Sequence, residues 1–155
     1  MAFDYTDLEP SEVALLALEY LKANAHWMEL AASECDEGEV SRVLTAIAED
    51  THAFADNLDA TIAEHFGGRT RDSEHATERL IRAADLVEGD VADMSALDLL
   101  EASTAEHEES YQFFMQEASE VEDEWVREMF EHLAAHARKA VVLLEEELER
   151  VRDDL

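Results

Sequence analysis

Several short strings in this sequence carry metal-ligating side chains at helical spacing. Glu49-Asp50-Thr51-His52 is an E-x-x-H string, Glu106-His107-Glu108-Glu109 sets two carboxylates three residues apart beside a histidine, and His132 and His136 lie four apart. Glu19 stands next to Tyr20. Residues three or four apart share one helix face, so a single helix could offer a carboxylate oxygen and an imidazole to the same metal pair. Other chemistries leave no trace: there is no glycine-rich phosphate loop, no second cysteine for a CxxC site and no G-x-S-x-G nucleophile turn.

The elements that must position these residues all read as helices. From Pro10, residues Val13, Leu16, Tyr20, Ala23, Trp27 and Leu30 recur at spacings of three and four, which predicts a first helix over about 10–35. After Gly38 the same spacing returns in Val40, Leu44, Ile47, Thr51, Phe54, Leu58 and Ile62, a second helix over about 39–66 stopped by Gly67-Gly68. Residues 67–94 form a connection too long for a simple turn and contain a short helical pattern from Ser73 to Val87. Ser95 with Asp98 predicts a capping box, opening a third helix over about 95–121 with Leu100, Ser103, His107, Ser110, Phe114 and Val121 on one face. A fourth, over about 123–153, carries Val126, Phe130, Leu133, Ala137, Ala140, Leu144, Leu148 and Val151. The expected fold is all-α, a single-domain four-helix bundle of two antiparallel hairpins joined by a long crossover.

Shifting the second half by 86 residues lays Val40, Val43, Leu44, Ile47 and Ala48 on Val126, Met129, Phe130, Leu133 and Ala134, and Trp27 on Phe113, as in a duplicated hairpin. The strings VSRVLTAIA (40–48) and VREMFEHLA (126–134), each preceded by a helix with an aromatic residue thirteen positions earlier, resemble the paired hairpins of the rubrerythrin branch of the ferritin-like superfamily. The resemblance covers about 10–66 and 95–150. It implies a di-iron centre in the bundle core, held by one carboxylate from each of the first and third helices and an E-x-x-H pair from each of the second and fourth, with peroxide reduction or Fe(II) oxidation as the activity. Glu106 and Glu109 match the carboxylate stretch of the third helix.

Elsewhere the sequence departs from that pattern. Counting from Trp27 puts the first-helix ligand at Tyr20, counting from Val40 puts the second-helix pair at Thr51 and Phe54, and counting from Val126 puts the last pair at Ala137 and Ala140. A displaced iron site would draw on Glu19, Glu49, His52 and His136 beside Glu106 and Glu109. The alternative is a buried polar network of Glu106, Glu109, Tyr20 and Thr51 in a bundle that has lost its di-iron centre and serves as a binding or dimerisation module. His26-Trp27 and Ile62–Gly68 also resemble fragments of the DNA-protecting mini-ferritins, but the Asp59-to-Glu64 step is one residue longer than theirs. A rubredoxin-like iron site needs four cysteines, and the chain has only Cys35.

Forty acidic against eleven basic residues give a formal charge of −29, spread over every segment. Such a surface repels nucleic acid and anionic lipid, so no direct nucleic-acid contact and no membrane partner are expected; a homodimer fits the bundle, and the protein partner is left open. No stretch approaches the roughly 18 apolar residues that span a bilayer, the N-terminus lacks a basic region followed by an apolar core, and a single cysteine forms no internal disulfide. A cytoplasmic protein of a salt-accumulating cell is the expectation, with an acidic mesophilic domain as the alternative. Self-repulsion among these charges should weaken the fold in dilute buffer and added salt should restore it. Thermal melts from low to molar KCl should therefore show a rising midpoint; full stability in dilute buffer overturns the halophilic reading.

Overall fold

A computed structural model describes residues 3–67 and 91–155. Four long helices account for most of them: α1 (Pro10–Glu34), α2 (Gly38–Phe66), α3 (Ala96–Glu120) and α4 (Glu124–Asp153), with a 3₁₀ turn at Val91–Asp93 before α3. There is no strand among the described residues. Each observed end lies within a residue or so of its expected position. The pattern between Ser73 and Val87 lies outside the described residues.

The local chemistry of the ends explains this agreement. Pro10 occupies the first turn of α1, where a missing N–H costs nothing, and the Glu12 carboxylate accepts the Glu9 N–H at 3.3 Å. Ser95 and Asp98 form the expected reciprocal capping box at 3.1 and 3.2 Å, and Asp123 caps α4 by accepting the Val126 N–H at 2.9 Å. Gly67 closes α2 in the left-handed region (φ 71°), with its N–H on the Ala63 carbonyl at 2.9 Å. Cys35 ends α1, its thiol donating toward the Glu37 carbonyl at 3.5 Å.

Short turns fold α1 against α2 and α3 against α4, giving a four-helix bundle of two closely packed antiparallel hairpins. Its apolar interior falls into two parts. At one end Phe3, Tyr20, Phe114 and Phe130 pack with Leu16, Leu58, Val126 and Leu133; at the other Met28, Val40, Leu44, Leu99, Leu100, Leu144 and Leu148 pack together. Every apolar residue expected on the α4 stripe from Val126 to Leu148 is buried, as are those of α2 apart from the partly buried Phe54.

Two features depart from the sequence reading. The buried stripe of α1 runs through Val13, Ala17, Leu21, Asn24, Met28 and Ala31, so Trp27 is only half-buried and Leu30 is exposed. Alanines at 14, 17, 25, 31 and 32 line the true face and let α1 approach its neighbours closely, a signal that large-residue periodicity does not register. The second feature is Phe3, unassigned in sequence, which packs into the bundle end with ring centroids 5.6 to 5.8 Å from Tyr20, Phe113 and Phe114. Beside it, burial and the Glu117 carboxylate push the Tyr5 phenol up to about 12.

Phe114 touches Phe3, Tyr20, Phe113 and Phe130 and is 1% exposed. Phe114→Ala should cost about 3–5 kcal/mol in denaturant unfolding with the slope unchanged; a loss below about 1 kcal/mol would mean that this end is not a packed core.

Candidate functional site

Between the two apolar clusters lies a band of polar side chains contributed by all four helices: Tyr20 and Asn24 from α1, Thr51 from α2, Ser103, Glu106, His107 and Ser110 from α3, and His136 from α4. These positions recur at three- and four-residue spacing, so each helix turns the same face inward that it uses for apolar packing above and below.

Tyr20, 3% exposed, is the centre of the α1–α3 half. Its hydroxyl donates to Glu106 Oε1 at 2.7 Å and accepts from the Ser110 hydroxyl and the Asn24 amide. With its amide turned to Tyr20, Asn24 leaves Oδ1 buried without a partner, the only such side-chain atom among the described residues. Burial, reinforced by the adjacent Glu106 charge, raises the Tyr20 phenol well above its ordinary value. Burial also raises the Glu106 carboxyl; the Tyr20 hydrogen bond opposes this and the Glu109 charge adds to it.

The second half joins α2 to α4. Thr51, 1% exposed, gives its only hydroxyl hydrogen to the Ile47 carbonyl at 2.8 Å, so toward His136 it acts as acceptor and His136 Nε2, 3.0 Å away, donates. His136 Nδ1 then faces Asp50 Oδ2 at 3.6 Å, and Lys139 reaches the same carboxylate at 3.5 Å. Burial lowers the His136 pKa; Asp50 opposes and Lys139 reinforces that shift. Asp50, His136 and Thr51 thus follow the order of an acid–base–nucleophile triad. Thr51 is sealed in the bundle and committed to its own helix, so no acyl group can reach it.

His107, 3% exposed, donates Nδ1–H to the Ser103 carbonyl at 2.7 Å, while the Ser103 hydroxyl points at Met28 Sδ, 3.1 Å away. Burial pushes the His107 pKa down to about 4; the Ser103 carbonyl resists this and His136 contributes to it.

The six residues expected to ligate iron are therefore distributed differently. Glu106 lies in the layer and His136 at its edge. Glu109 and Glu49 are exposed, Glu19 is 3.5 Å from Lys22, and His52 pairs with Glu29 on the outside of α1 and α2. Glu19, Glu49, His52 and Glu109 do not join Glu106 and His136, because each lies one helical position or more off the buried stripe of its own helix. Among the described residues no group of three or more His, Cys, Asp or Glu side chains is placed to hold a metal ion. The donors present do not fit a di-iron centre: such a centre needs carboxylates from all four helices, whereas Glu106 is the carboxylate of this layer and one of its oxygens already accepts from Tyr20. The residues at the family's other ligand positions are buried and include no carboxylate: Tyr20, Thr51, Ala137 and Ala140, with Phe54 partly buried against His136 at a ring separation of 4.8 Å. Sequence reasoning missed Asn24 and the Asp50–His136 contact. Asn24 falls between the apolar positions of α1 where a polar residue signals an interior partner, and Asp50 is 85 or more residues from the α4 side chains that it meets.

The fold is an all-helical four-helix bundle, and among the described residues no helix is long and apolar enough to cross a membrane. No family model, no curated protein and no solved structure matches the chain.

His107 makes this layer acid-sensitive in a defined direction. Its folded pKa is depressed from 6.5 to about 4, so the unfolded chain binds the proton first and stability falls as pH drops through that window. The raised Glu106 pKa works the other way, with the folded state holding its proton to higher pH and losing stability as pH rises through the carboxyl range. His107→Gln should flatten the loss of stability between pH 6.5 and 4, measured by urea unfolding, by up to about 3 kcal/mol; an unchanged pH profile would show that His107 is not buried neutral.

Proposed function

We propose that this chain is a ferritin-like bundle of the rubrerythrin kind in which a hydrogen-bonded layer takes the place of the di-iron centre, and that it works as a non-catalytic binding protein in a salt-accumulating cytoplasm. The supporting observation is the Tyr20–Glu106 hydrogen bond at 2.7 Å. Two carboxylates facing each other across a bundle axis need a cation or a shared proton between them, but a phenol facing a carboxylate neutralises the contact by itself. Thr51 and His136 repeat this logic on the α2–α4 side. Redox chemistry on iron requires open coordination positions and several ionised oxygens, and this layer offers one carboxylate, Glu106, with one oxygen engaged by Tyr20.

The deciding measurement is metal content per chain, taken after purification in high salt and again after anaerobic Fe(II) addition and desalting. The expected result is no retained iron and a melting midpoint unmoved by a strong chelator. About two irons per chain, with a near-ultraviolet oxo-ferric band after exposure to air, would overturn the proposal and restore an iron-dependent peroxide or Fe(II) activity.

A further inference from the structure

The outer seam between α2 and α4 opens into a cleft of about 240 Å³ near the end of the bundle where α2 stops and α4 begins. Its floor is Leu58 and Met129, both nearly buried, and its walls include the rings of Phe54 and Trp125. Both walls are held in place by contacts with other rings. Trp125 stacks on His65 with centroids 5.1 Å apart and planes 8° from parallel, and the Phe66 edge lies 5.0 Å away; Phe54 tilts over the His136 ring. Polar contacts are available from Asn57 and Glu128 at the rim. Among the described residues no Lys or Arg lines the cleft, and Lys139, further along the seam, is faced by the Asp50 carboxylate at 3.5 Å.

We propose that this cleft binds a small aryl-alkyl ammonium ion. The volume lies below the roughly 300–1,000 Å³ of drug-sized sites and matches about one ring with a short substituent. An aromatic ring on the ligand matches the Leu58–Met129 floor, and a cationic head matches the faces of Trp125 and Phe54 together with the Glu128 carboxylate. The field of a chain carrying −29 concentrates cations at its surface and excludes anions of the same shape. Pre-positioned rings lower the ordering cost of binding. This inference rests on the reading of the chain as a binding protein and gives that reading a ligand class.

Trp125 and Trp27 are the two tryptophans, so a Trp27→Phe chain reports on the cleft through Trp125 fluorescence alone. Titration with benzyltrimethylammonium in 1 M KCl, where the Debye length falls to about 3 Å and diffuse cation accumulation is screened, should give a saturable emission change at one ligand per chain. Phenylacetate and benzyl alcohol should bind at least about tenfold more weakly. Glu128→Gln, at an exposed position that the fold does not depend on, should weaken ammonium binding about fivefold, and Trp125→Leu, followed by calorimetry with helicity checked by circular dichroism, about tenfold. Absence of saturation, equal affinity for phenylacetate, or wild-type affinity in Glu128→Gln would each overturn the site. None of these results alters the iron measurement, and iron uptake with intact ammonium binding would sink the metal-free reading alone.

Discussion

The structure turns on one constraint: polar groups placed in the middle of a helical bundle have to satisfy one another. Water does not compete there, so each unpaired donor or acceptor costs on the order of 1–3 kcal/mol. Tyr20 meets this demand by donating to Glu106 while receiving from Ser110 and Asn24, and Thr51 meets it by passing its hydrogen to Ile47 and accepting from His136. Asn24 Oδ1 alone stays buried without a partner among the described residues. Glu106 keeps a raised pKa because the same burial that strengthens its hydrogen bond penalises its charge.

The spacing of the internal sequence repeat is also the spacing of the Tyr20–Glu106 contact. An offset of 86 residues relates the two hairpins, and Tyr20 and Glu106 are separated by that number. Residues equivalent under an approximate two-fold relation face each other where they approach its axis. Identical carboxylates at such a position would repel, which raises one pKa strongly or calls in a cation. A tyrosine on one side removes the repulsion and supplies the donor. Asp50 and His136 are separated by the same 86 residues and face each other at 3.6 Å, whereas the Thr51–His136 contact falls outside this relation, since the residue 86 positions beyond Thr51 is Ala137.

Much of this was legible in the sequence. Four helices, their ends and three of the four buried stripes follow from spacing and from residues such as Ser95, Asp98 and Gly67, whose side-chain or backbone preferences act locally. The same spacing put Tyr20 and Thr51 on the inward stripes although neither is recognisable as interior by type. The α1 face was read one position off at Trp27 and Leu30 because small alanines, not the large residues, line the closest approach of its second half. Phe3 and the Asp50–His136 contact were not readable, since both depend on which helices become neighbours in space. The E-x-x-H string at Glu49 to His52 illustrates the same limit. In a chain with forty acids a glutamate often precedes a histidine by three, and only packing decides which face turns inward.

Pairing in the polar layer has a consequence beyond cost. The apolar cluster at the end away from Phe3 consists of Leu, Val, Ala, Ile and Met, side chains that fix the register of one hairpin on the other less sharply than the ring contacts at the opposite end. A slide by one turn, about 5.4 Å, would carry Tyr20 away from Glu106 and Ser110, and His136 away from Thr51, leaving several buried polar groups unpaired at once. Near the far end Arg150 adds a second registration point, reaching Glu37 at 2.8 Å and Glu39 at 3.1 Å across from α4 to the start of α2. That contact is exposed and screened by salt, so it fixes little. The buried layer is not screened in this way, and the alignment of the two hairpins therefore rests on Tyr20, Glu106, Thr51 and His136 together with the ring contacts beside Phe3.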